Sequence, residues 1–221
     1  MFRMMTGAVL VAVMSVSMAM AADEAKTEKT EGDGWVSLFD GKTLAGWKAN
    51  ENDEGFIVED GAIKVGGPRN HLFYVGTDEQ PYKPFKNFIF ECDLMTRPNA
   101  NSGLYIHTQF QPEGWPHHGY EIQINNSHSD LKRSTSIYDV QNVMNDSPAK
   151  DNEWYKMTVI VQDRCIVIKV NGKIVNAYTE PVGKEPGKDF TRILTEGTFA
   201  FQAHDPGSVA FVKNIRVKRL P

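Results

Sequence analysis

The dipeptides Asp40-Gly41, Asp60-Gly61 and Asn171-Gly172 punctuate a chain whose apolar residues return at every second position, and no stretch carries a convincing helical period. Such pairs suit tight hairpin turns, because Asp, Asn and Gly tolerate the positive φ angles that let the flanking strands keep their twist. Between the turns, residues 88–95 set Phe88, Phe90, Cys92 and Leu94 against Ile89, Glu91, Asp93 and Met95. Residues 102–108 set Leu104 and Ile106 against Tyr105 and His107. Residues 120–125 set Tyr120, Ile122 and Ile124 against Glu121, Gln123 and Asn125. Alternation of this kind belongs to strands with one buried face. Roughly a dozen short strands result, and by the strand-spacing rule they imply an all-β sandwich or barrel.

The first two segments, residues 35–39 and 44–47, read as a hairpin about Asp40-Gly41-Lys42, and residues 56–58 and 62–65 as a second. Further strands are expected at 71–75, 137–138, 154–162, 165–170, 173–178, 197–203 and 209–220. The connection 139–152 has no periodicity and is long enough to wall a binding site. Cys92 and Cys165 both fall in strands, where a disulfide and burial as small apolar residues are both open. Trp35, Trp47 and Trp154 are expected in the core.

Residues 1–21 read as a secretory signal, with Arg3 before an apolar centre and Ala19-Met20-Ala21 as a small-x-small cleavage site. The apolar run is too short for an anchor that survives cleavage. Residues 22–33 are charged and small, a spacer, and residues 34–221 form one domain. The protein is therefore expected in the periplasm or outside the cell. With 28 acidic against 24 basic residues and no basic tract, a nucleic-acid partner is not expected.

The row Glu121, Gln123, Asn125 is a solvated strand face on the plainest reading, and on the sharper one the lining of a site for a hydroxyl-rich ligand. In the Gly114-Trp115-Pro116-His117-His118 loop, Trp115 could stack on a sugar ring or anchor its own loop. The spacing of His107, His117 and His118 matches no standard ligand set, so no metal site is expected.

Several segments occur in an order that resembles one family. They are residues 35–47 (WVSLFDGKTLAGW), Val58-Glu59-Asp60-Gly61, Asn101-Ser102-Gly103-Leu104-Tyr105-Ile106 and Gly119-Tyr120-Glu121-Ile122-Gln123-Ile124. Trp154, Val170-Asn171-Gly172-Lys173, Phe201-Gln202-Ala203-His204 and residues 212–217 (VKNIRV) follow. The chain is similar to the 3-keto-disaccharide hydrolase domain family over nearly all of residues 34–220. The resemblance implies a concanavalin A-like jelly roll, a two-sheet β-sandwich whose concave face handles sugars, in exported bacterial proteins acting on oxidised disaccharides or glucosides. The chain departs from the family at His107, where an Arg commonly follows the NSG strand, and at Ser134-Thr135-Ser136-Ile137-Tyr138, where a Gly-Ala-Ile-Tyr-like segment is usual. Both positions are expected to face the site.

Retaining glucanases of the same jelly-roll class carry acids at alternate positions of a strand, whereas the comparable residues here are Glu121, Gln123 and Asn125. Ordinary glycoside cleavage needs two carboxyl groups flanking the bond. A 3-keto sugar needs fewer, because its ketone acidifies the hydrogen on C2 and a base can remove it, after which the group on C1 leaves and water adds. One base, one acid and donors to the enolate oxygen are enough, and no cofactor is called for. On this view Glu121 and His204 are the catalytic pair, and Gln123 and Tyr138 hold sugar hydroxyls or the enolate oxygen. Tyr105 and Trp115 line the substrate site, with Asp93 and His107 as further candidates. The alternative is a lectin-like module that binds carbohydrate without cleaving it.

Overall fold

A computed structural model describes residues 33–52 and 54–221; the expected signal segment, and all of the expected spacer except Asp33, lie outside the described residues. Thirteen strands are present among them: β1 (Trp35–Ser37), β2 (Trp47–Ala49), β3 (Phe56–Glu59), β4 (Ala62–Gly66), β5 (Asn70–Tyr74), β6 (Phe88–Thr96), β7 (Ser102–Thr108), β8 (Tyr120–Ile124), β9 (Tyr155–Gln162), β10 (Cys165–Val170), β11 (Lys173–Thr179), β12 (Thr198–Ala203) and β13 (Val209–Arg219). They form two antiparallel sheets. The larger runs β11-β10-β9-β6-β13-β4-β3 with β1 also on β13, and the smaller runs β2-β5-β12-β7-β8. No helix among the described residues is long and apolar enough to cross a membrane.

The core lies between the sheets and is built from the alternation. On β6, Phe88, Phe90, Cys92 and Leu94 are buried while Ile89, Glu91, Asp93 and Met95 are partly exposed. From the facing sheet come Leu104 and Ile106 of β7, Tyr120, Ile122 and Ile124 of β8, and Phe199 and Phe201 of β12. Phe90 meets Phe199 at 4.6 Å between ring centroids. Truncating one such ring to Ala typically costs about 3–5 kcal/mol.

Asp40-Gly41 does not make a hairpin. Its flanking segments part into different sheets, β1 pairing with β13 and β2 with β5. Asp40 instead caps its own turn, its carboxylate accepting from the Lys42 and Thr43 amides and the Thr43 hydroxyl. The pairs at Asp60-Gly61 and Asn171-Gly172 do close the hairpins β3-β4 and β10-β11. Trp47 is buried and donates from Nε1 to the Leu38 carbonyl, whereas Trp154 is 40% exposed with Lys213 over its ring. Cys92 is buried and Cys165 exposed, and both are free thiols.

The outer face of the smaller sheet departs from simple alternation, for every residue of β7 is buried. Loops cover that face. Phe110 packs on Phe73 and Trp115 on His71, both of β5, while the segment around Ile137 runs beside β8 and bridges Ile122. That segment takes hydrogen bonds to the free edge of β8: Gln123 N to Ser136 O, Thr135 N to Gln123 O and Tyr138 N to Glu121 O. An edge that would otherwise expose unpaired amides is thereby closed.

Candidate functional site

A cavity of about 210 Å³ opens on this face. Its floor is strand and its walls are loop. Glu121 and Gln123 of β8, Tyr105 of β7 and Gln202 of β12 line it from below, and Asn101 stands at the head of β7. Trp115 and Gly119 come from the β7–β8 connection, Tyr138 and Asp139 from the segment beside β8, Phe190 and Arg192 from the β11–β12 loop, and His204 follows β12.

Register explains the floor. Tyr105 stands directly opposite Glu121, and Gly103 opposite Gln123. The Glu121 side chain leans off its own position: Oε2 accepts from the Tyr105 hydroxyl at 3.0 Å and Oε1 from Gln202 Nε2 at 3.1 Å. Gln202 Nε2 also donates to the Tyr105 hydroxyl at 3.0 Å. To reach Gln202 the carboxylate passes over Gly103, where a Cβ would sit 2.6 Å from Oε1 and 3.0 Å from Cγ. Glycine inside a strand marks such close approaches. That was the available signal for Gly103 in the Asn-Ser-Gly string, and the alternation rule passes over it.

Burial pushes the Glu121 carboxyl up to about 7, against the hydrogen bonds from Tyr105 and Gln202 and the positive charge of Arg192, which pull it down; Asp139 adds to the rise. All the direct partners of the carboxylate are neutral. A group in that range can give or take a proton near neutral pH. Tyr105 is driven well above its ordinary value by burial and by the Glu121 charge, so its hydroxyl stays a donor.

Gln123 donates from Nε2 to Asn101 Oδ1 at 2.9 Å. The side-chain amide oxygens (Oε1) of Gln123 and Gln202 are buried without a protein partner among the described residues. Buried acceptors in this condition call for a donor from water or ligand. His204 is half-buried; its Nδ1 lies 2.9 Å from Asp205 Oδ2, and its ring is 5.4 Å from that of Trp115. Burial raises the Asp205 carboxyl, but bonds from Ser208, His204 and the Gly207 amide outweigh it and hold it below the usual range. The imidazole is thus held by an ionised neighbour through Nδ1, which leaves Nε2 for other partners. The Tyr138 hydroxyl is 3.3 Å from Asp130 Oδ2 and its ring lies under Lys132 Nζ at 3.9 Å.

Glu121, Gln123, Tyr105, Tyr138, Trp115 and His204 therefore share one cavity. Asp93 and His107 are outside it. Asp93 belongs to β6 in the other sheet, and its carboxylate accepts from Lys156 Nζ at 2.9 Å and Asn214 Nδ2 at 2.6 Å. Burial raises it, but these bonds and the Lys156 charge win, and it sits below the usual carboxylate range. His107 leaves the alternation because it is a bulge. Thr198 pairs with Thr108 and Phe199 with Ile106, so His107 is the extra residue, at φ 54°. A Cβ at Gly119 or Gly197 would run into the backbone around it. The bulge packs His107 edge-on against Phe88 of the core. Its Nδ1 accepts from the Thr195 amide at 3.2 Å and its Nε2 meets the Lys86 carbonyl at 2.8 Å, so the proton sits on Nε2. Ser134, Thr135 and Ser136 are buried beneath the wall, and of that segment only Tyr138 reaches the cavity.

Asn101, Asp139, Phe190, Arg192 and Gln202 were not among the residues expected from the pattern. Gln202 lies in the Phe201-Gln202-Ala203-His204 string on an alternating strand, so its face was legible. Arg192 and Phe190 sit in a polar loop with no period to read. The expected wall 139–152 contributes only Asp139.

Fold and cavity together define a concanavalin A-like, jelly-roll β-sandwich. The chain belongs to the family described as the 3-keto-alpha-glucoside-1,2-lyase-like domain, whose profile matches residues 34–218. A curated relative, the 3-keto-disaccharide hydrolase of Bacteroides thetaiotaomicron, is 26% identical over 172 residues; the match takes in 67% of this chain and 59% of that protein. Two crystal structures from Parabacteroides distasonis, provisionally described as glycosyl hydrolases, are similar to it. The first has TM-score 0.69 at 25% identity, covering 85% of this chain and 94% of the other. The second has TM-score 0.64 at 21% identity, covering 84% and 99%.

Proposed function

We propose that this domain cleaves the glycosidic bond of 3-keto-glycosides or 3-keto-disaccharides by proton abstraction next to the ketone, elimination and hydration. The observation that carries the reading is Glu121, a carboxyl held at the cavity floor by neutral donors and raised to about 7. The cavity's other carboxylate, Asp139, is bound to Lys132 at 2.8 Å and Arg192 at 3.1 Å, and lies below the usual range. An acid locked between two cations is a poor proton donor or nucleophile, so the two-carboxylate route is not favoured.

In the reaction, Glu121 removes the hydrogen on C2 as a proton. The C2 electron pair delocalises onto the C3 ketone oxygen as an enolate, whose collapse restores the ketone and forms the C1–C2 double bond as the C1–oxygen bond breaks. His204, oriented by Asp205, protonates the departing oxygen. Water then adds to C1 of the unsaturated ketone and a proton returns to C2, which completes a net hydrolysis. Gln123 and Tyr138 hold sugar hydroxyls or the enolate oxygen, and the unpartnered side-chain oxygens Oε1 of Gln123 and Gln202 accept from the hydroxyls. Trp115 offers an aromatic face to the C–H side of the ring. The cavity is below the range of about 300–1,000 Å³ usual for drug-sized ligands, which suits one sugar ring with the leaving group at the mouth. We further propose, on the leader expected in residues 1–21 alone, that the domain works outside the inner membrane. A purely binding module would need the amides and the aromatic face but no carboxyl poised near neutral pH.

The test is incubation with a glucoside and its 3-keto derivative in deuterated water. Release of the leaving group from the keto compound alone, with deuterium at C2 of the product, is expected; equal release from both compounds overturns the reading.

A further inference from the structure

Proton abstraction by Glu121 moves a negative charge onto the ketone oxygen, and the floor residues Tyr105, Gln202 and Gln123 carry no positive charge to offset it. We propose that Arg192 is a further catalytic residue, whose guanidinium receives the enolate oxygen formed on C3; this rests on the proton-abstraction reading above. Arg192 is the permanent cation among the cavity's lining residues. One of its five N–H groups is engaged, Nη2 with Asp139 Oδ2 at 3.1 Å, and the face of the guanidinium rests on Phe190 at 5.4 Å. Nε and Nη1 have no protein partner among the described residues, so donors remain for a ligand.

The residue is held for the task. Its φ is 44°, a left-handed conformation that non-glycine residues keep only where the surroundings impose it. Those surroundings are on both sides. Before it, the Thr191 amide donates to the His117 carbonyl at 2.8 Å and the Thr191 hydroxyl accepts from the Gly119 amide at 3.1 Å. After it, the Leu194 amide donates to the buried Glu180 carboxylate at 2.8 Å. Charge is balanced as well. Lys132 takes the other oxygen of Asp139, so Arg192 shares that counterion with a second cation. In the resting site Arg192 lowers the Glu121 carboxyl; when the proton passes to Glu121, the negative charge leaves that carboxylate for the substrate oxygen and stays in the field of the same guanidinium. Preorganised cations aimed at developing oxyanions are among the largest catalytic effects known.

The experiment compares wild type, Arg192→Gln, Arg192→Lys and Asp139→Asn on a 3-keto-glucoside across pH. Arg192→Gln is expected to lower kcat by about 100- to 1,000-fold with KM changed by less than about five-fold, and Arg192→Lys to restore part of the loss. Tyr105 and Gln202 hydrogen-bond the Glu121 carboxyl, Arg192 and Asp139 act on it through charge, and Tyr138 and His204 line the same cavity. Among the charged ones, removing Arg192 should move the acid limb of the kcat profile to higher pH, and Asp139→Asn should move it to lower pH. A merely structural loss would not give shifts of opposite sign. Binding of the unoxidised glucoside by Arg192→Gln shows that the variant is folded. Wild-type kcat in that variant, or an acid limb that stays put in both variants, overturns the role of Arg192 and leaves the proposed function standing. An inactive wild type overturns the function itself.

Discussion

Two strands of this domain carry an acid in the same sequence context, and the two acids end in opposite chemical states. Asp93 on β6 and Glu121 on β8 both alternate with buried apolar neighbours. Asp93 stands on the outer face of the larger sheet between Lys156 and Asn214 and is held below the usual range. Glu121 stands on the loop-covered face of the smaller sheet, meets a phenol and an amide, and is lifted to about 7. A carboxylate that loses water needs a replacement for the lost solvation, and cations supply it better than neutral donors. The difference between an inert surface ion pair and a poised acid therefore lies in the partners and the cover, not in the strand.

The largest test of that contrast is the paired substitution of the two acids by their amides. Glu121→Gln should lower kcat on a 3-keto-glucoside by about 100- to 10,000-fold, the usual worth of a general base. Near-normal turnover by Glu121→Gln would remove that residue from the mechanism. Gly103→Ala comes next: the added Cβ meets Glu121 Oε1 and Cγ and displaces the carboxylate, so kcat should fall by about 100-fold. An unchanged kcat would mean that Glu121 acts from some other rotamer.

Stability against pH gives a smaller effect with a defined sign. The Glu121 carboxyl is raised in the folded protein from 4.5 to about 7, so the native state holds its proton more tightly than the unfolded chain. Its contribution is fully present below pH 4.5 and is lost as pH rises through 7. Glu121→Gln should therefore gain up to about 3 kcal/mol relative to wild type between pH 4 and pH 8, read from denaturant midpoints at the two pH values. A constant difference would show that the carboxyl is not desolvated. The smallest effect belongs to Asp93→Asn, which breaks a half-exposed pair with Lys156 and should cost about 1 kcal/mol or less with kcat within two-fold of wild type. A large loss of activity there would join the two sheets functionally and dissolve the comparison.

The same contrast separates what could be read in the chain from what could not. Alternation on β6 and β8 was legible residue by residue, because a strand with one buried face has a period of two and no other choice. It was illegible at His107, where one extra residue between Ile106 and Thr108 turns the side chain into the core, and at Asp40-Gly41, whose local turn leads into two sheets rather than one hairpin. Asp93 was mistaken for a neighbour of the site because a pattern names a face without naming the sheet.

By itself, then, the sequence determined local matters: where strands run, which side chains share a face, where most turns fall, and that Glu121 and Gln123 stand on one side of their strand. Only the tertiary structure decided that β6 and β8 belong to different sheets, and that Gln202 and Gly103 shape the Glu121 carboxyl. It also brought Arg192 and Asp139 in from loops distant in the chain. The physical reason is range. Strand period and turn geometry depend on residues a few positions apart, whereas strand order, loop cover and the field at a carboxyl depend on contacts between segments about 50 to 100 residues apart that no local period encodes.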